Sequence, residues 1–151
     1  MQLSRKNIFL LFTFVFLFYC AIDIGSMWDA GTHLKMGKNK LNYLFSLGKN
    51  SNDFWFSKYF PGVSYTITAF ITSMFPKIFE TEALHLVNLL ISLSAVYGMY
   101  GISKNLFNKK VAQIVFILFL FYPIFLGQMA INPKDTIITV SYVWITYLTL
   151  K

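Results

Sequence analysis

The stretch YFPGVSYTITAFITSMFP, residues 59–76, decides the topology of the chain, because it is compatible with either a membrane span or a surface helix. Pro61 and Pro76 bracket 14 residues, and proline is best tolerated in the first turn of a helix or beyond its end. A helix of that length measures about 21 Å, which is too short to cross the ~30 Å hydrocarbon core of a bilayer.

The side chains of this segment separate onto two faces at helical spacing. An apolar set occupies one face and hydroxyl side chains occupy another: Val63, Ile67, Phe70, Ile71 and Met74 against Ser64, Thr68 and Thr72. Such a division is typical of a helix that lies in the membrane interface. We therefore predict a surface helix over about 62–75.

Long uncharged runs on both sides of this segment indicate an integral membrane protein. Residues 83–103 and 111–133 carry no charge, and 56% of the chain is hydrophobic, which is far from a soluble domain's profile. We predict an all-α membrane protein with about four transmembrane helices. The predicted spans are about 7–27, 83–104, 111–130 and 135–151, and the outer loop 28–82 holds surface helices at about 30–47 and 62–75.

The distribution of lysine and arginine favours the four-span topology, because short cytoplasmic loops accumulate these residues. If residues 62–75 lie flat, the cytoplasmic set is Arg5, Lys6, Lys104, Lys109, Lys110 and Lys151. If the segment spans instead, the 104–110 loop faces outward. The basic start and uncharged first run predict an uncleaved signal anchor with a cytoplasmic N-terminus. The net charge of +7 is then explained by cytoplasmic anchoring and membrane lipid, and no nucleic-acid partner is expected.

Two aspartates lie just beyond uncharged runs, Asp29 in MWDAGTH and Asp135 in INPKDT. In the four-span topology both lie on the outer face, where they can cooperate. In the five-span alternative they lie on opposite faces. Each also suits the N-cap of a helix, where a carboxylate accepts a backbone N–H, so capping competes with catalysis as the explanation of both.

The order of these features resembles the N-terminal part of the GT-C glycosyltransferases that use polyprenyl-phosphate sugars, a group that includes protein O-mannosyltransferases and lipid A aminoarabinose transferases. The resemblance extends over nearly the whole chain, from Met27 to Leu150. Asp29 matches the acidic residue that opens the family's first outer loop, although Ala30 replaces the usual second acid. The stretch from Lys58 to Gly62 resembles the element that leads into the surface helix, and Asp135 matches the acid that opens the fourth span.

This resemblance implies a bacterial inner-membrane enzyme that transfers a sugar from a polyprenyl-phosphate donor to an acceptor hydroxyl on the extracytoplasmic face. It implies Asp29 as the general base and Asp135 as a second catalytic residue that positions the acceptor. Lys58 is expected to contact the donor's phosphate, with His33 and Lys134 as further substrate-binding residues.

Neither a cofactor nor a metal site is predicted, since His33 and His85 lack partners at metal-ligand spacing.

The competing hypothesis is a non-enzymatic membrane protein such as a carrier, an assembly subunit or a degenerate remnant. A carrier normally places a charge in mid-span, and these spans have none there. Because GT-C enzymes have many more spans, we expect the chain to be a fragment of a larger enzyme.

Overall fold

The structure is a computed structural model that describes residues 5–50 and 62–151, with side chains from Asn7 onward in the first helix. Lys58 and Pro61 lie outside the described residues. All regular structure in the described part is helical, so the predicted all-α class is confirmed there. The order is α1 (Arg5–Asp23), α2 (Ala30–Phe45), α3 (Gly62–Thr72), a 3-10 turn (Lys77–Phe79), α4 (Glu80–Leu106), α5 (Lys109–Leu120), α6 (Pro123–Gln128) and α7 (Asp135–Thr149).

Helix α4 is the centre of the fold, since α1, α3, α5 and α7 all pack against it, while α2 packs against α3. With the turn before it, α4 forms a stretch of 30 residues, Lys77–Leu106. Among the described residues, it is the one helix long and apolar enough to cross a membrane by itself.

Burial in the first helix is the reverse of the pattern in a water-soluble protein. In α1, Thr13, Leu17 and Ala21 recur every four residues and are buried, whereas the ring of Phe12 is 71% exposed and that of Phe16 is 51% exposed. Large apolar side chains face outward, and a narrow stripe of smaller ones faces α4. Interfaces of this kind occur between helices in lipid, where burying large apolar groups gains little.

Two glycines allow α7 to approach α4 closely. A Cβ atom at Gly98 would lie 2.6 Å from Cγ1 of Val143, and one at Gly101 would lie 2.5 Å from the ring of Tyr147. Neither distance leaves room for a methyl group, so the close packing depends on glycine at both positions.

The predicted third span, 111–130, is not one continuous helix. Helix α5 ends at Leu120, and Pro123 begins α6 at its first position. Proline has no N–H to donate, and its ring clashes with the carbonyl four residues earlier, so it interrupts a helix unless it lies in the first turn. The uncharged run therefore forms two helices with a break between them.

Helix α3 turns its apolar side chains away from the protein. Val63 is 75% exposed and Ile67 is 49% exposed, while the side chains of Tyr65, Thr68 and Thr72 are buried. The helix ends at Thr72, three residues before the predicted end, because the last backbone bonds tighten from i−4 to i−3 spacing at Met74.

Candidate active site

Asp29 occupies the position just before α2, but its side chain does not cap the helix. Its carboxylate instead accepts a hydrogen bond from the ring of His33, with 3.0 Å between Nε2 and Oδ2. The capping explanation considered from the sequence is therefore wrong for this side chain. The spacing of four residues explains the contact, because one helical turn brings the two side chains onto the same face.

This pair is largely shielded from solvent. The side chain of His33 is 7% exposed and that of Asp29 is 24% exposed. The second carboxylate oxygen, Oδ1, is buried and accepts no hydrogen bond within the described residues. A buried carboxylate oxygen normally has a hydrogen-bond donor, so Oδ1 of Asp29 departs from the usual pattern in the described part of the chain.

Tyr65 of α3 connects the two helices of the outer segment. Its ring centroid lies 4.9 Å from that of His33. Nζ of Lys40, which belongs to α2, lies 5.8 Å from the same Tyr65 ring centroid. The contact between the helices is close because residue 37 is glycine. A Cβ atom at Gly37 would lie 2.2 Å from the carbonyl oxygen of Tyr65.

The negative charges of Asp29 and Asp135 both affect the pKa of the Tyr65 hydroxyl. Burial, which is the largest cause, and the negative charges of Asp29 and then of Asp135 together raise the pKa of this hydroxyl from 10.0 to about 12. The two aspartates lie toward the same end of the molecule. A small cavity supports this, because it is lined by His33 and Tyr65 together with Pro133, two residues before Asp135.

Asp135 is the first residue of α7, and the side chain of Asn132 performs the capping that the sequence suggested for Asp135. Oδ1 of Asn132 accepts the backbone N–H groups of Lys134 and Asp135 at 3.2 and 3.0 Å. Nδ2 of Asn132 donates to Oδ2 of Asp135 at 2.9 Å. Asn132 thus holds the carboxylate of Asp135. Both residues line an open groove of about 470 Å³, together with Gln128.

The lysines around the site differ in their environments. Lys134 is exposed beside Asp135, whereas Lys38 pairs with Glu80 at the start of α4. Lys40 is buried against α3, and this loss of solvent lowers its pKa. The packing of Tyr65 and Lys40 beside His33 was not predicted from the sequence. The spacing of seven residues between His33 and Lys40 does place these two side chains on one helical face.

Three buried polar side chains of α4 hold the segments that carry the acids. Nδ1 of His85 donates to the carbonyl of Ala21 in the last turn of α1, at 3.1 Å. Asn88 donates to the carbonyl of Ala130 at 3.1 Å, and Ser92 donates to that of Met129 at 3.0 Å. These carbonyls lie near helix ends, where they lack partners within their own helix. One helix therefore fixes the chain before Asp29 and the chain before Asp135.

Comparison with known proteins decides the family. Residues 61–151, more than half of the chain, match the family described as dolichyl-phosphate-mannose-protein mannosyltransferase. The chain belongs to this family. Members of this mannosyltransferase family are membrane-integral glycosyltransferases of the GT-C type, so the suspected resemblance is confirmed. No curated protein and no solved structure matches the chain significantly.

The matched region of the mannosyltransferase family contains α3 to α7, and so includes Lys134 and Asp135. Asp29, His33 and Lys58 precede it. Within the described ranges, no three His, Cys, Asp or Glu side chains are grouped as metal ligands.

Proposed function

We propose that this member of the mannosyltransferase family transfers a sugar from a polyprenyl-phosphate donor to an acceptor hydroxyl at the extracytoplasmic surface. The observation that carries the proposal is the Asp29–His33 pair, with one carboxylate oxygen held and the other buried without a donor in the described part of the chain. His33 lies against Tyr65, and both line a small cavity with Pro133, two residues before Asp135, which supports a shared site for the two acids.

In the proposed reaction, Oδ1 of Asp29 takes the proton of the acceptor hydroxyl, and the hydroxyl oxygen attacks the anomeric carbon of the donor sugar. The bond between that carbon and the phosphate oxygen breaks, and polyprenyl phosphate leaves with the bonding electrons. His33 keeps the carboxylate oriented through Oδ2. Asp135 positions the acceptor, and Lys58 and Lys134 offset the negative charge that develops on the phosphate.

The proposed topology has four spans, with α3 in the outer interface and the N-terminus in the cytoplasm. The outward apolar face of α3 supports the interfacial position, because Val63, Ile67 and Met74 would lie in lipid while Thr68 and Thr72 pack inward. Helices α5 and α6, over 109–128, would together make the third span. A cysteine at Asn105, in a chain with Cys20→Ser, should be labelled from the cytoplasmic side only, and labelling from outside would contradict this topology.

The catalytic proposal is tested by Asp29→Asn in the natural full-length protein, assayed in membranes supplied with polyprenyl-phosphate mannose. The variant keeps the shape of the side chain and loses the base, so mannose transfer should fall by at least about 100-fold, in the range that general bases contribute. Asp23→Asn is the matched control, because Asp23 is an exposed aspartate at the end of α1 and should retain full activity. Activity in Asp29→Asn equal to the control would remove Asp29 as the base.

A further inference from the structure

A second cavity lies at the opposite end of the helices from the two acids. It has a volume of about 440 Å³ and lies between α1, α4 and α5. Its walls are mainly aromatic and aliphatic, with one cation and one amide: Phe9, Leu10, Tyr97, Tyr100, Lys109, Gln113, Phe116 and Ile117. None of these residues takes part in the proposed transfer reaction.

The cavity runs inward from the helix ends. Lys109 is the first residue of α5, and Phe116 lies seven residues further on, about 10 Å along the helix axis. Tyr97 lies nine residues before the end of α4, about 13 Å from it. In the proposed four-span topology, on which this inference rests, the polar part of the cavity lies at the membrane surface and its aromatic part extends into the hydrocarbon region.

The aromatic wall is held by contacts between its own rings. Tyr100 meets the ring of Phe116 edge-on with 6.4 Å between centroids, and it stacks on Tyr97 at 6.3 Å. These contacts join α4 to α5 within the wall. Because the rings pack against one another, the wall is formed without a bound ligand.

The mouth of the cavity is positively charged, and no acidic residue lies near its lysines in the sequence. Lys104, Lys109 and Lys110 are all exposed, and residues 83–134 contain neither Asp nor Glu. Lys109 is the lysine of this group that lines the cavity. A cation at the surface above an apolar channel matches a ligand with an anionic head and a hydrocarbon tail.

We propose that this cavity is a binding site for one anionic phospholipid. The phosphate is held by Lys109 and Gln113, and one acyl chain lies along Tyr97, Tyr100 and Phe116. The site selects headgroups that carry a net negative charge. A zwitterionic lipid brings its own cation to the same surface and gains less from Lys109.

The test uses the full chain in nanodiscs made from equal parts of phosphatidylglycerol and phosphatidylcholine. Native mass spectrometry counts the lipids that stay bound when the protein is released. The wild-type protein should retain one phosphatidylglycerol in preference to phosphatidylcholine. Lys109→Gln should lower that preference about fivefold, which is the effect of one lysine near an anionic surface.

Two further variants separate a site from diffuse attraction. Lys110→Gln makes the same charge change one residue away, outside the cavity, and should leave the preference within about twofold of wild type. Ile117→Trp fills the cavity and should lower retention of both lipids. Equal losses in Lys109→Gln and Lys110→Gln, or no preference in the wild-type protein, would overturn the proposal.

Discussion

Nε2 of His33 donates a hydrogen bond to Oδ2 of Asp29 across one turn of α2, with 3.0 Å between the atoms. The bond uses one oxygen of the carboxylate and fixes its plane. The other oxygen is left buried, with no donor among the residues that the structure describes. A carboxylate held in this way leaves one oxygen as the acceptor for a proton, and the proposed role of Asp29 as general base rests on this arrangement.

His33→Ala should lower kcat for sugar transfer by roughly 10- to 100-fold and leave KM within about twofold. The lost interaction is a hydrogen bond to a charged group, worth about 1.5–3 kcal/mol. In the proposed reaction His33 orients the base, whereas the family resemblance implied that it binds the substrate. His33→Gln should recover part of the rate, since the amide nitrogen can donate to Asp29. A raised KM with unchanged kcat would show instead that His33 contacts the substrate directly.

Tyr65 should report the presence of both acids without any activity assay. Asp29→Asn removes a negative charge beside the hydroxyl, so the pKa of Tyr65 should fall from about 12, and Asp135→Asn should lower it by less. Burial, the largest cause, remains in both variants. The measurement is an NMR titration of ring-labelled tyrosine, with Tyr65→Phe for assignment. Asp23→Asn should leave the titration unchanged, and an equal shift in that control would mean that the effect is general.

The same hydroxyl makes stability depend on pH at the alkaline end. The unfolded chain ionises Tyr65 near its ordinary pKa of 10.0, whereas the folded chain keeps the proton to about 12. The unfolded state therefore releases its proton first as pH rises, and the free energy of unfolding falls between these two values. Tyr65→Phe should make the fall in melting temperature over this interval shallower than in the wild-type protein.

Gly37→Ala should destabilise the contact between α2 and α3. The added methyl group would lie 2.2 Å from the backbone oxygen of Tyr65, which cannot move without moving α3. Overpacking of this kind costs about 1–3 kcal/mol and should lower the melting temperature in detergent. Gly31→Ala is the matched control in the same helix, because no atom beyond its chain neighbours and the local helix backbone lies within 4 Å of its Cβ position. That variant should melt at or slightly above the wild-type temperature.

Two substitutions at Asn132 should separate helix capping from control of Asp135. Asn132→Ala removes the acceptor for two backbone N–H groups and should cost about 1 kcal/mol of stability. Asn132→Asp keeps that acceptor but replaces the donor to Asp135 with a negative charge. Because this adds like-charge repulsion against Asp135, Asn132→Asp should lower transfer activity at least as far as Asn132→Ala does. Full activity in Asn132→Asp would show that the orientation of Asp135 is unimportant.

The helical class and the approximate positions of the helices could be predicted from the sequence, because uncharged runs and prolines report on the backbone directly. The side of α2 that packs against the rest of the protein could not be predicted from the sequence. Leu34, Leu41, Leu44 and Phe45 recur at roughly helical spacing in α2, yet Leu44 and Phe45 are exposed, and His33, Gly37 and Lys40 face α3. In a protein bounded by lipid, apolar periodicity marks two different surfaces, and the sequence alone does not say which one is inside.

The candidate site was only partly accessible to sequence reasoning for a related reason. Asp29 and Asp135 stood out because charges beyond apolar runs are conspicuous. Tyr65 belonged to no motif, and its position between His33 and Lys40 depends on how α3 packs on α2. Likewise, the hydrogen bond from Asn132 to Asp135 depends on side-chain rotamers within a turn. Contacts of this kind follow from tertiary packing and carry no periodic signal.

The bond between His85 and Ala21 also sets an order of events during synthesis. The donor is made 64 residues after the acceptor, which takes roughly 3 to 13 s at common translation speeds. For that interval the end of α1 has no partner from α4. The carbonyls that Asn88 and Ser92 bind at residues 129–130 emerge later still. The end of α1, which precedes Asp29, can therefore gain its hydrogen bond from α4 before α4 binds the carbonyls that precede Asp135.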